Sequence, residues 1–170
     1  GDDHLYAQGG TNRMYGGEGN DLLEGWVGGR NTLAGGTGDD QYVIANTGAT
    51  VIELVGEGVD TLRTSVSFDI GVGNHIEILN TTDADGTTAI NIFGSDIANE
   101  IRGNNGRNHL MGRGGNDRIM AGGGDDSLDG NLGADSLYGE AGNDTLDGGD
   151  DDDLLYGGAG DDVVIGGAGN

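Results

Sequence analysis

Six aspartates, Asp117, Asp126, Asp135, Asp144, Asp153 and Asp162, recur every nine residues along the last third of this 170-residue chain. Ionised carboxylates set among glycines, where backbone carbonyls are freely available, are the donor set of hard cations. Asp3, Asp21 and Asp40 repeat the arrangement near the beginning, with less regular spacing. Cation ligation is therefore the first chemistry to weigh.

Other chemistries find less support. His4, His75 and His109 are far apart in sequence, and no H-E-x-x-H zinc-protease pattern occurs. No G-x-S-x-G nucleophile elbow is present. Asp83-Ala-Asp85-Gly86 matches the opening of an EF-hand loop without its downstream glutamate, and reads as a turn. Acids are so abundant that pairs of carboxylates argue for no glycosidase centre. Glu53, Glu57, Asp60 and Glu77 are the acids that the spacing leaves unexplained, and no catalytic role is expected of them. The chain is expected not to be an enzyme by itself.

The composition narrows the partners. Net charge is −23, and the seven basic residues are all arginine. Such a surface repels nucleic acid and anionic lipid, whose binding needs a basic patch. No apolar run is long enough to span a membrane, so no membrane insertion is expected. No stretch has the layout of a signal peptide, and the chain opens and closes within a repeat. Cysteine is absent, so no disulfide framework exists; bound metal could staple the chain instead. Glycine occurs 39 times and proline never. High charge with few apolar residues reads either as disorder or as a glycine-rich solenoid whose acids are ligands.

Periodicity decides between these. From Gly94 onward the sequence divides into nines without a gap, with Asn99, Asn108 and then the six aspartates at the sixth position. The eighth position is Ile101, Leu110, Ile119, Leu128, Leu137, Leu146, Leu155 and Val164. Two position classes that stay in phase this long specify a solenoid. Residues 1–43 repeat the pattern more loosely, with Asn12 at one sixth position. One extra residue slips Asn31 and Leu33, and Arg30 beside them could replace an ion's charge with its own. Residues 44–93 lose the period and gain β-formers at Val51–Val55, Ser67–Ile70, Ile76–Leu79 and Ala89–Phe93, read as longer strands or wider coils. The expected organisation is a first block at 1–43, a connecting segment without calcium at 44–93 and a second block at 94–170.

In each unit the last three residues make a short strand with one inward aliphatic, since side chains alternate faces. The six before it reverse the chain, and glycine supplies the positive φ values that this needs. Asp151 stands where a fourth-position glycine belongs, and aspartate tolerates that conformation better than most. One buried aliphatic per nine glycine-rich residues is a thin core. Stacked coils also place aspartates above one another, where they repel. A cation that binds the folded turn resolves both problems, and calcium suits it: hard, flexible in geometry and satisfied by six to eight oxygens.

The tandem pattern G-G-x-G-x-D-x-U-x, where U is a large apolar residue, resembles the RTX (hemolysin-type calcium-binding) repeat family, most strongly over 94–170 and more weakly over 1–43. Gly157–Ile165, reading GGAGDDVVI, is its best unit. The resemblance implies an all-β, parallel β-roll, a right-handed β-solenoid with several Ca2+ ions bound in the glycine/aspartate turns. It also implies type I export into a calcium-rich exterior, hence a secreted or cell-surface bacterial setting. Each ion is then shared by turns two units apart. That pairs Asp117 with Asp135, Asp126 with Asp144, Asp135 with Asp153, Asp144 with Asp162 and, more weakly, Asp3 with Asp21. The implied ligand positions also take in Asp40 and the fourth-position glycines Gly115, Gly124, Gly133, Gly142 and Gly160. Turns carrying Asn12, Asn99 or Asn108 should bind weakly or only pack.

Residues two units apart share a face, so Met120, Tyr138 and Tyr156 should form a ladder beside Arg118, Ser136 and Leu154. The opposite face should carry Asp129, Asp147 and Ile165. The ladder reads first as ordinary cross-strand stacking and second as a face for a polysaccharide or a neighbouring domain. Three functions follow: a calcium-dependent structural or spacer module of a secreted protein, a calcium-scaffolded adhesive or glycan-binding segment, or an accessory part of a secreted polysaccharide- or lipid-modifying enzyme.

Overall fold

The computed structural model describes residues 1–26 and 28–169; Val27 and Asn170, the last residue of the expected second block, lie outside the described residues. It is all strand and forms a parallel β-solenoid. Strands His4–Ala7, Leu22–Gly25, Gln41–Ile44, Thr61–Thr64, Ile78–Thr81, Glu100–Arg102, Arg118–Gly123, Ser136–Ala141 and Leu154–Ala159 stack in chain order into one nine-stranded sheet. The intervening strands form two shorter sheets. Arg13–Glu18, Thr32–Thr37 and Thr50–Ile52 make one; Phe68–Asp69, Ile92–Phe93, His109–Gly114, Ser127–Leu132, Thr145–Asp150 and Val163–Ile165 make the other.

Register follows the eighth-position residues. Leu5, Leu23, Tyr42, Leu62, Leu79, Ile101, Ile119, Leu137 and Leu155 are aligned one above another along the long sheet. From Leu23 to Leu137 this column is fully buried, against Met14, Leu33 and Val51 in one short sheet and Phe68, Ile92, Leu110, Leu128 and Leu146 in the other. Each repeat coil thus contributes two large inward side chains, and the middle coils add Ile44, Ile70, Ile76 and Ile90. Val164, expected in the core, is 49 % exposed, because no further coil is stacked on its strand among the described residues.

Equivalent residues are 18 apart through the second block. In the middle the coil lengthens to 20 between Asp40 and Asp60, contracts to 17 between Asp60 and Glu77, and widens to 22 between Thr81 and Gly103. The long sheet absorbs these changes without a break, carrying both repeat regions on one axis. The opposite wall does not: among the described residues no ladder joins Thr50–Ile52 to Phe68–Asp69.

Full strands in the second block run to six residues rather than three. After the inward aliphatic and its flanks, positions one to three of the next unit continue the ladder. Glu140 pairs with Gly158 and Ala141 with Ala159, for example. The left-handed residues are at positions two and four, among them Gly142 (φ 143°) and the non-glycines Arg113, Asn131, Glu140 and Asp151. Asp151, at φ 78°, adopts the conformation its position requires.

Candidate metal sites

Each sixth-position residue comes immediately before a strand, at the edge of the roll, where the turn delivers its side chain back under the first-position residue. Stacking brings the paired aspartates together through one recurring hydrogen bond. The backbone N–H of Asp117 donates to Asp135 Oδ1 at 2.7 Å, and that of Asp126 to Asp144 Oδ1 at 2.8 Å. Asp135 likewise donates to Asp153, and Asp144 to Asp162, both at 2.9 Å. In the first block Asp3 donates to Asp21 and Asp21 to Asp40, both at 2.7 Å.

This arrangement uses one oxygen of each carboxylate. The other, Oδ2 of Asp21, Asp40, Asp117, Asp126, Asp135, Asp144 and Asp153, is buried with no hydrogen-bond partner. Carbonyl oxygens converge on the same places. A methyl built on Gly130 would run into both Asp135 Oδ2 and the Gly148 carbonyl, and one on Gly139 into Asp144 Oδ2 and the Gly157 carbonyl. Ala121 carries a methyl at the equivalent position one unit earlier, so the crowding is not absolute. Orphaned carboxylate oxygens beside backbone carbonyls are the donors calcium takes, and a buried anion without a partner is costly in its absence. The site residues therefore fit the ion: on one side of the roll Asp135 with the Gly148 carbonyl, and on the other Asp144 with the Gly157 carbonyl, would each hold one, and its charge would neutralise the stacked carboxylates.

The electrostatics agree. Burial pushes the Asp117 and Asp126 carboxyls up to about 7, against the pull of the Asn99 and Asn108 backbone N–H groups; the stacked Asp135 and Asp144 carboxylates push further. Burial raises Asp135 to about 6, and lifts Asp144 and Asp40 above the usual carboxylate range.

The asparagine turns work differently. Asn99 Nδ2 donates to the Ile76 carbonyl at 2.8 Å and Asn108 Nδ2 to the Ile90 carbonyl at 2.9 Å, while each Oδ1 accepts a backbone N–H from its own turn. The amide bonds carbonyls itself, and nothing is left for an ion to satisfy. Asn12 and Asn31 are bonded side chain to side chain at 3.0 Å, and Arg30 beside them is exposed.

The fourth-position glycines Gly115, Gly124, Gly133, Gly142 and Gly160 are left-handed, and successive ones stack so closely that a methyl on Gly133, Gly142 or Gly160 would strike the carbonyl of the glycine one coil before. Two of the three histidines have carboxylate neighbours: His4 Nε2 is 2.8 Å from Glu24, and His109 Nε2 is 2.5 Å from Asp129. Met120, Tyr138 and Tyr156 form the expected ladder. The two tyrosine rings stack at 5.3 Å, 12° from parallel, and the Arg118 guanidinium is 5.1 Å from the Tyr138 ring centre.

Sequence reasoning missed two members of the edge. Asp40 N–H donates to Asp60 Oδ1 at 2.8 Å and Asp60 N–H to Glu77 Oε2 at 2.8 Å, so the acid ladder of the first block continues into the connecting segment. The signal was present in Asp60-Thr61-Leu62 and Glu77-Ile78-Leu79, each an acid two residues before an inward leucine, but the altered coil lengths hid it.

Against known families, the chain matches the RTX calcium-binding nonapeptide repeat over residues 1–25, 27–42, 93–128, 102–137, 120–155 and 138–170. No curated protein matches it.

Proposed function

The chain belongs to the RTX calcium-binding nonapeptide repeat family, whose repeats bind several Ca2+ ions, and from that premise we propose that it is a structural or spacer module of a secreted bacterial protein, folding as it takes up calcium outside the cell. The observation that carries this reading is the row of buried Oδ2 atoms without partners in Asp117, Asp126, Asp135, Asp144 and Asp153. An isolated coil buries two inward side chains and several unneutralised carboxylates. It is stable only when a cation binds the stacked turns and not the coil, which makes binding free energy into folding free energy. At low cytosolic calcium the chain stays unfolded and exportable; at high external calcium it closes into the roll. Its role is mechanical and thermodynamic, without catalysis.

A calcium titration followed by far-UV circular dichroism tests this, starting in chelator with magnesium as control. A cooperative coil-to-β transition with calcium alone is expected. A β signal already complete in chelator would reduce calcium to a tuning ligand and overturn the coupled mechanism.

One observation favours a second reading, an adhesive surface with calcium as its scaffold. Tyr156 is 53 % exposed and stacked on Tyr138, a flat aromatic platform of the kind sugar rings pack against. A polysaccharide-binding screen in which Tyr138→Ser/Tyr156→Ser behaves like wild type would remove it.

A further inference from the structure

In the sheet register Ile52 pairs with Ala34, which puts Glu53 on the position that Gly35 holds one coil earlier. It is a glutamate where the repeats carry a first-position glycine. Its side chain is fully buried beneath the turn, at 0 % exposure, with Asp60 also at 0 % and Asp40 at 1 %. One oxygen from each of these three carboxylates comes within 4.8 Å of the other two. Asp40 Oδ2, Glu53 Oε2 and Asp60 Oδ2 have no hydrogen-bond partner. Tyr42 replaces the usual aliphatic at the eighth position. Its hydroxyl donates to Glu53 Oε1 and accepts the Gly35 N–H at 2.6 Å, which fixes the glutamate in place. Glu53 N–H donates to Asn74 Oδ1 at 3.1 Å, anchoring its backbone to the next coil.

We propose that Asp40 of the first block, with Glu53 and Asp60 of the segment that has lost the nonapeptide pattern, forms a three-carboxylate calcium site. No ion pair among the described residues reaches any of the three acids. Three buried anions side by side without a cation are strongly unfavourable. The three oxygens lie within 4.8 Å of one another, and an all-carboxylate, flexible oxygen set is the kind calcium takes at about 2.3–2.6 Å, whereas magnesium demands a near-ideal octahedron and keeps most of its waters. The site differs from the repeat turns in taking a third side-chain carboxylate in place of a carbonyl-rich shell, and it ties the first block to the connecting segment.

The proposal rests on calcium being the cation of the repeats, and the test separates the two. Full-length chain is titrated with calcium by calorimetry, as wild type, Glu53→Gln and Asp126→Asn. Glutamine keeps an oxygen for the Tyr42 hydroxyl and removes the charge, so Glu53→Gln is expected to lose one ion per chain while keeping its calcium-bound circular dichroism. Ions lost in Asp126→Asn but fully retained in Glu53→Gln would overturn this site alone. A wild-type chain that takes up no calcium would overturn both readings. If Glu53→Gln does not fold, terbium emission excited through tyrosine decides: Tyr42→Phe must lower it, and unchanged emission would overturn the site.

Discussion

The backbone N–H of Asp117 points at Asp135 Oδ1, 2.7 Å away, while Oδ2 of the same carboxylate is buried and bonded to nothing. One oxygen holds the coils in register; the other is the cation ligand of the proposed function. Asp135→Asn should separate these tasks, because Asn108 already shows an amide bonding a carbonyl in such a turn. The variant is expected to keep the Asp117 hydrogen bond, stack normally and bind fewer calcium ions by calorimetry. Asp135→Ala should in addition leave the Asp117 N–H without its acceptor, costing about 1–3 kcal/mol in calcium-saturated denaturant melts. Equal ion counts in wild type and Asp135→Asn would show that Oδ2 is not a ligand.

Acidity should act in opposite directions with and without metal. In the metal-free roll, burial holds Asp117 and Asp126 at about 7 and Asp135 at about 6, above the roughly 3.9 of an unfolded aspartate. The folded state therefore binds more protons between about pH 4 and 7, and its stability falls as pH rises through that window. Calcium needs the ionised form, so apparent calcium affinity should climb over the same window and level off above about pH 7. Calorimetry near pH 6 in buffers of different ionisation enthalpy should register proton release. Affinity that is flat from about pH 5 to 8 would exclude these carboxylates as ligands.

Two substitutions near one turn should have opposite signs. Glu140 is a left-handed non-glycine at φ 70°, and Glu140→Gly should stabilise the calcium-bound roll by about 0.5–1 kcal/mol by relieving that conformation. Gly142, two residues on at φ 143°, is packed so closely on the Gly124 carbonyl that a methyl would collide with it. Gly142→Ala should cost about 2 kcal/mol or more. Thermal melts at saturating calcium measure both.

The stacked rings of Tyr138 and Tyr156 contribute to stability whether or not anything docks on them. Replacing both with serine should lower the unfolding free energy by about 0.5–1.5 kcal/mol beyond the area lost, read from a double-mutant cycle. A coupling energy of zero would mean that the stacking is incidental.

Where the nonapeptide holds, the sequence is enough to place the residues. The inward column from Ile101 to Leu155 and the aspartate pairs of the second block are set by a fixed interval, and equal intervals stack equal residues. Leu62 and Asp60 were harder to place, because inserting or removing one or two residues changes the coil length without changing which residue faces inward. Glu53 was illegible for a different reason. A glutamate in a β-rich stretch reads as a solvated charge, and only the closed coil shows it taking a glycine's place, held by Tyr42. The length of the strands was also underestimated, since glycines at positions one to three continue a ladder that their weak β-propensity does not announce.

The long sheet is bonded from His4 to Ala159, whereas on the facing wall no ladder among the described residues joins Ile52 to Phe68. A roll with one unbroken side and one interrupted side resists loads unequally. Stretched along its axis, it is restrained at the interruption by the ladder of one wall and by the bonds of Glu53 to Asn74 (3.1 Å) and His75 (3.2 Å), with the Arg113–Asp69 pair (2.7 and 2.8 Å) bracing the far side of the gap. Load that two ladders share in the aspartate-lined coils is thus carried past the interruption by one ladder and a few individual bonds.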